Sequence, residues 1–178
     1  TDRSRGLGDV YKRQMPDTIY MDIMADLQGK GVDIVVDATR DLLMNVLSYK
    51  PFLIKPNNHE LGEIFGEELK NREAVVPYAR KLQEKGARNV LVSMAGEGAV
   101  LIDENGEEYM SEAPKGKVVN AVGAGDSMVA GFIAGCLEKK NYEYAFHKGL
   151  AAGSASAFSE QLATKEEVEE LLRKIEGR

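Results

Sequence analysis

Short apolar runs rich in β-branched residues alternate along this chain with segments of helical periodicity. The apolar runs lie at 32–37, 52–55, 89–94 and 98–102, and the helical patterns that precede or separate them lie at 17–27, 40–47, 60–65 and 73–84. A strand that is apolar on both faces suits a sheet that is covered on both sides. Strands that alternate with helices predict βαβ units and a mostly parallel sheet. The expected fold class is therefore α/β.

The C-terminal third of the chain is predicted to be helical, over about 125–138, 142–158 and 165–175. Thr164 is a suitable N-cap for the last of these helices, and Glu167 three residues later completes a capping box. The four residues Asp103-Glu104-Asn105-Gly106 are typical of a hairpin turn. No long linker, low-complexity run or internal repeat interrupts this pattern, so we expect a single domain.

Charge and composition exclude several classes of partner. The chain has 178 residues and a formal net charge of −6, and it has no basic stripe, which argues against nucleic acid as a partner. No apolar run approaches the roughly 20 residues that are needed to span a bilayer, so no membrane association is expected. The single cysteine, Cys136, excludes an internal disulfide and fits a reducing, cytoplasmic location.

Residues 1–14 differ from the rest of the chain. The stretch 4–14 has no periodicity that would bury a face, and it is similar to the translation of a transposon adapter used to make sequencing libraries. We therefore interpret 1–14 as a non-native segment that should be excluded from fold reasoning. On this interpretation the native protein begins upstream of Met15. The alternative is a native N-terminal tail.

The most informative stretch is Val122-Gly123-Ala124-Gly125-Asp126-Ser127, a glycine-rich turn that runs from a β-like segment at 117–121 into an apolar helix. Glycines let backbone N–H groups converge, and the first amides of a helix have no partners within it. Because the helix dipole is also positive there, the turn predicts an anion site. Asp126 at its mouth could accept the proton of an attacking hydroxyl. The alternative is a simple helix-start turn with Asp126 as an N-cap.

The longer string 117–131 resembles the signature of the PfkB/ribokinase-like sugar kinases. The resemblance implies that Gly123, Ala124 and Gly125 stabilise the transferred phosphoryl group and that Asp126 is the catalytic base, in contact with both ATP and the substrate. It also implies a ribokinase-like three-layer αβα fold. Residues 15–178 would form the C-terminal, nucleotide-binding part of a sugar kinase domain.

A second segment, Lys55-Pro56-Asn57-Asn58-His59-Glu60, is similar to the KPNxxE motif of the same family. The resemblance implies that Lys55 and Asn57 reach the phosphates of ATP and that Glu60 helps to position Mg²⁺, a cation that prefers oxygen ligands and retains waters. Alone, the residues allow simpler interpretations: Asn57 as an N-cap and Glu60 as an acid in the first turn of a helix.

Three further elements are candidates for substrate contacts. The strand-end turn Ser93-Met94-Ala95-Gly96-Glu97-Gly98 resembles the family's turn that lies against ATP, although a β-turn would explain its glycines. Ser154 lies in a run of small residues, 149–157, that resembles the helix beside the adenine pocket; close helix packing explains these residues equally well. Arg40 could bind a substrate phosphate as a bidentate donor, or be an exposed arginine at a helix start.

The implied activity is transfer of the ATP γ-phosphoryl group to a small-molecule sugar phosphate, with Mg²⁺. The motifs look most like those of members that phosphorylate the 6-hydroxyl of fructose 1-phosphate; members that act on tagatose 6-phosphate or another sugar have similar motifs. A nucleotide-binding module without catalysis is the non-enzymatic alternative. The family's N-terminal half, with its β-sheet lid, most sugar contacts and the usual homodimer surface, has no counterpart in the sequence, so we expect an incomplete sheet with an exposed edge.

Overall fold

The structure is a computed structural model that describes residues 18–38 and 40–177, without the side chain of Arg40. The segment 1–14 thus lies outside the described residues. The helices are α1 (Ile19–Leu27), α2 (Arg40–Val46), α3 (Asn58–Phe65), α4 (Arg72–Glu84), α5 (Ala124–Glu138), α6 (Tyr142–Phe158) and α7 (Lys165–Ile175). The strands are β1 (Val35–Val36), β2 (Leu53–Ile54), β3 (Asn89–Ser93), β4 (Ala99–Ile102) and β5 (Glu108–Ser111), and short 3₁₀ turns occupy Leu47–Tyr49 and Ala95–Glu97.

The five strands form one sheet in the order β1-β2-β3-β4-β5. The pairings of β1 with β2 and of β2 with β3 are parallel, whereas those of β3 with β4 and of β4 with β5 are antiparallel. Four of the five strands therefore run in the same direction, which confirms the predicted mostly parallel sheet. The hairpin turn is also confirmed, because the Gly106 N–H donates to the Asp103 carbonyl at 2.9 Å.

Helices cover both faces of the sheet, as expected for a three-layer αβα fold. Along β3, Val90 and Val92 pack into a core with helices α1 to α4, while Leu91 between them packs against α5 and α6. The same alternation holds on β4, where Val100 and Leu101 lie in opposite cores. Side chains of successive strand residues point to opposite faces, which explains why these strands are apolar throughout.

Three predicted elements differ from the structure. The runs 32–37 and 52–55 form ladder pairs only at Val35–Val36 and Leu53–Ile54. The β-like segment 117–121 is not a strand of the sheet. Instead, the N–H groups of Val119 and Asn120 both donate to the carbonyl of Ala157, at 2.8 and 3.1 Å. Two backbone N–H groups of this segment are thus bonded to the end of α6, which local sequence cannot indicate.

Helices α5 and α6 pack closely through small residues. A β-carbon on Gly131 of α5 would lie 2.7 Å from the β-carbon of Ala152 and 2.7 Å from the carbonyl oxygen of Lys148. A β-carbon on Gly149 of α6 would lie 2.9 Å from the Met128 carbonyl oxygen. The small residues of 149–157 thus serve close helix packing, and they place α6 directly beside the glycine turn. None of the described helices is long and apolar enough to span a membrane.

Candidate active site

Lys55 and Asp37 meet at the carboxyl edge of the parallel strands. Each follows its strand directly, Asp37 after β1 and Lys55 after β2, and the Lys55 Nζ lies 3.6 Å from the Asp37 Oδ1. The Lys55 side chain is 8% exposed and that of Asp37 39%. A buried ammonium requires a nearby acceptor or counter-charge, and Asp37 supplies one. The sequence analysis missed Asp37, although an acid at the carboxyl end of a predicted strand is a usable signal.

The glycine turn, although distant in sequence, lies next to Lys55 at the same edge of the sheet. The Lys55 Nζ lies 3.2 Å from the position that a β-carbon would occupy on Gly125. A side chain at position 125 would therefore require the ammonium to shift by a few tenths of an ångström. The structure thus brings Lys55 to the predicted anion site, which the two motifs separately could not show.

The start of α5 has features that suit an anion, although the Ala124 N–H already donates to the Ala121 carbonyl at 3.2 Å. Gly123 is its N-cap, with a φ of +78° that favours glycine, and no side chain caps the helix. The turn before it is held by the Asn120 side chain, whose Oδ1 accepts from the Val122 N–H at 3.0 Å. Amides in the first turn of a helix attract anions, the more so when an ammonium lies beside them. The turn can therefore bind a phosphate.

Asp126 is an exposed residue in the first turn of α5, three positions after the N-cap Gly123. The alternative that Asp126 is the N-cap is therefore wrong. Its side chain is accessible from solvent in the first turn of the helix, next to the glycine turn.

Asn57 and Glu60 form a capping box at the start of α3. The Asn57 Oδ1 accepts from the Glu60 N–H, and the Glu60 Oε2 accepts from the Asn57 N–H, both at 2.8 Å. The simpler interpretations of these two residues are therefore confirmed. The box does not use the Asn57 Nδ2 or the Glu60 Oε1, so it orients both side chains while leaving one polar atom of each for a ligand.

The turn 93–98 lies beside the KPNxxE segment. Asn57 forms an isolated parallel β-bridge with Ser93, whose N–H donates to the Pro56 carbonyl at 3.2 Å. Met94 is buried in the core that lies between the sheet and helices α1 to α4, so its side chain is not available to a ligand at the surface. Ala95, Gly96 and Glu97 are exposed, and Arg72 donates to the Glu97 carbonyl. Gly98, with a φ of +94°, ends the turn.

The remaining candidates have no described contact with this site. Arg40 begins α2, and its side chain lies outside the described atoms. Ser154 is partly exposed on α6, next to Gly153, where a β-carbon would lie 3.0 Å from the Ala124 carbonyl oxygen. The serine of α6 that reaches α5 is instead Ser156, whose hydroxyl donates to the Ser127 Oγ at 2.8 Å. Sequence analysis missed Ser156, because helical spacing in a run of small residues does not show which one faces α5.

Glu60 suits a magnesium ion that is bound together with substrate phosphates. No group of three or more His, Cys, Asp or Glu placed to hold a metal occurs within the described part of the chain. Mg²⁺ in phosphoryl-transfer sites typically binds one or two carboxylates, substrate phosphates and water rather than a cage of protein ligands. Glu60, with its Oε1 outside the capping box, is a suitable carboxylate for such an ion.

The chain resembles known carbohydrate kinases in sequence and in fold. A sequence profile described as pfkB family carbohydrate kinase matches residues 10–169. The chain is 47% identical over 161 residues to the 1-phosphofructokinase of Bacillus subtilis, which covers 90% of this chain and 53% of that protein. It is 31% identical over 169 residues to the D-tagatose-1-phosphate kinase of Bacillus licheniformis, with 92% of this chain and 54% of that protein covered.

The structure of Arabidopsis thaliana ribokinase, complexed with ribose and ATP, superimposes with a TM-score of 0.77 at 23% identity, over 90% of this chain and 54% of that one. The fold is therefore ribokinase-like. The chain spans about half the length of the relatives that it matches.

Proposed function

The chain belongs to the pfkB family of carbohydrate kinases, and from this premise we propose that it supplies the nucleotide-binding part of an ATP-dependent sugar-phosphate kinase. The observation that carries the proposal is the meeting of the Lys55 ammonium with the glycine turn at the start of α5. A buried ammonium beside open helix amides is suited to the charge of phosphate groups.

In the proposed reaction the substrate hydroxyl oxygen attacks the γ-phosphorus of ATP. A new O–P bond forms, the bond from the γ-phosphorus to the bridging oxygen breaks, and ADP leaves with that electron pair. Asp126 accepts the hydroxyl proton. The amides of the glycine turn, of which that of Ala124 also donates to the Ala121 carbonyl at 3.2 Å, stabilise the negative charge of the transferred group together with the Lys55 ammonium.

The nucleotide is proposed to lie along the carboxyl edge of the sheet. Asn57 and the turn 93–98 would contact its phosphates and base side, with backbone rather than side-chain contacts at Met94. Ser154 is proposed to line the adenine side and Arg40 to bind a substrate phosphate. Glu60 would hold Mg²⁺, which when bound neutralises phosphate charge.

Fructose 1-phosphate, phosphorylated at its 6-hydroxyl to fructose 1,6-bisphosphate, is the proposed substrate. The support is the 47% identity to a protein named 1-phosphofructokinase. Tagatose 1-phosphate is the second candidate, because a relative at 31% identity is named for that substrate. Sugar contacts, a lid and a homodimer surface are proposed to come from a region outside this chain, in a cytoplasmic enzyme.

The test is a complete enzyme in which residues 15–178 of this chain follow the N-terminal half of the Bacillus subtilis relative. ADP release would be measured with Mg²⁺-ATP and fructose 1-phosphate, tagatose 1-phosphate or fructose 6-phosphate. We expect the highest kcat/KM with fructose 1-phosphate. A preference for tagatose 1-phosphate would select the second candidate, and a folded enzyme without sugar-dependent ADP release would refute the proposed function.

A further inference from the structure

Ser156 is a buried polar residue that lies next to the start of α5. It is 3% exposed, on the last turn of α6. Its hydroxyl donates to the Ser127 Oγ at 2.8 Å and accepts from the Ala163 N–H at 3.2 Å. Both capacities of the hydroxyl are therefore used, and they join α5, α6 and the loop that leads to α7.

The partner of this hydrogen bond directly follows the proposed catalytic base. Ser127 is the next residue after Asp126 in the first turn of α5. A hydrogen bond to the Ser127 side chain therefore restrains the rotation and position of the turn that presents the Asp126 carboxylate. The bond crosses between two helices, so it fixes α5 relative to a separate element.

The same end of α6 also holds the segment that enters the glycine turn. The Ala157 carbonyl accepts from the Val119 and Asn120 N–H groups, and the Glu160 carbonyl accepts from the Asn120 Nδ2 at 3.3 Å. Thus residues 156–160 are bonded to the chain before Gly123 and to the chain after Asp126. The proposed anion site therefore lies between two chain segments that are both hydrogen-bonded to the end of α6.

We propose that Ser156 is a positioning residue, which holds the start of α5 so that Asp126 and the turn amides are aligned for phosphoryl transfer. This inference rests on the proposed function. Loss of the hydroxyl would leave the Ala163 N–H without its acceptor and would release Ser127, in a region that small side chains pack tightly. Alignment matters because displacements of about 1 Å in an active site can reduce rates by about 100-fold.

The first test needs no catalytic activity. Hydrogen–deuterium exchange of the 178-residue chain would be compared for the wild type, Ser156→Ala and the control Ser159→Ala. Ser159 is also at the end of α6, but its hydroxyl donates to Glu167 of α7, not to α5. We expect faster exchange over 124–131 in Ser156→Ala and unchanged exchange there in Ser159→Ala. Equal exchange over 124–131 in all three proteins would overturn the inference.

The second test is kinetic, in the complete enzyme described above. For Ser156→Ala we expect kcat to fall about 10-fold while the KM for ATP changes less than about 2-fold, since the lost alignment acts on the transition state. Ser127→Ala should also lower kcat, by no more than Ser156→Ala does. The double variant should be no worse than Ser156→Ala, because the hydrogen bond that joins the two residues is already lost in that variant.

A lower melting temperature with an unchanged kcat would make Ser156 merely structural and overturn the inference. Additive losses in the double variant would also contradict it. An inactive wild-type enzyme would refute the proposed function, and the exchange experiment would still decide whether Ser156 holds the start of α5.

Discussion

The ammonium nitrogen of Lys55 lies 3.2 Å from the point where a β-carbon would stand on Gly125. Lys55 follows the second strand of the sheet, and Gly125 lies in the first turn of α5, 70 positions later in the chain. The glycine therefore has a steric role that its own motif does not reveal: it makes room for the lysine of the other motif. Lys55 supplies the positive charge of the proposed phosphate site, and Gly125 leaves room for its ammonium.

Gly125→Ala is expected to displace the Lys55 ammonium and weaken Mg²⁺-ATP binding by about 10-fold, because charge-assisted bonds to phosphate depend on position. The backbone of Gly125 has no positive φ, so alanine fits the helix and the free energy of unfolding should not fall. Isothermal titration of the chain measures the affinity. In a Lys55→Met background the substitution should have little further effect; an undiminished affinity in Gly125→Ala would contradict the steric role.

Asp126→Asn in the complete enzyme is expected to lower kcat by about 100-fold to 10,000-fold, because the amide cannot accept the hydroxyl proton. The side chain is exposed and caps no helix, so stability and ATP affinity should stay close to those of the wild type. Steady-state kinetics and a thermal melt provide the two measurements. Turnover equal to that of the wild type would remove Asp126 from the role of base.

Gly131→Ala is expected to reduce the free energy of unfolding by about 1–3 kcal/mol, the usual cost of overpacking a tight core. Its new methyl would lie 2.7 Å from both the Ala152 β-carbon and the Lys148 carbonyl oxygen. Leu137→Ala on the same helix is a suitable control, since Leu137 is 82% exposed. Urea denaturation of both variants checks the prediction, which fails if the two lose equal stability.

Protonation of Glu104 makes the free energy of unfolding depend on pH in the acid range. A hydrogen bond from Arg88 lowers the pKa of Glu104 below its ordinary value of 4.5, and a bond from Tyr142 adds to this, against an opposing effect of burial. The unfolded chain therefore binds more protons as the pH falls below about 4.5. This contribution to stability is fully present above that pH and is lost as the pH drops through the lower folded pKa.

The free energy of unfolding of the wild type should accordingly decrease more steeply below pH 4.5 than that of Glu104→Gln. Chemical denaturation between pH 3 and pH 7 measures the two curves. Glu84→Gln, which changes an exposed acid at the end of α4, controls for net charge and should follow the wild type. Parallel curves for the wild type and Glu104→Gln would show that the Arg88 contact does not couple to folding.

Local patterns in the sequence were sufficient for most elements of the fold. The helix caps at Asn57 and Thr164 and the hairpin turn at Gly106 are visible in the sequence because each depends on residues within four positions. The glycine turn and the KPNxxE segment were recognised for the same reason. The residue types of 117–121 predict a β-like segment, and this prediction is wrong because the segment bonds to the Ala157 carbonyl, which is distant in sequence.

By itself, the sequence determined the α/β class, the helix and strand order, the family and the residue types available for phosphoryl transfer. Only the tertiary structure decided which of those residues meet. It placed Asp37 and Gly125 around Lys55, turned Met94 into the core, and joined Ser156 of α6 to Ser127 of α5. Periodicity and capping arise from neighbours along the chain, whereas these contacts follow from strand order and helix packing, which act over long sequence separations.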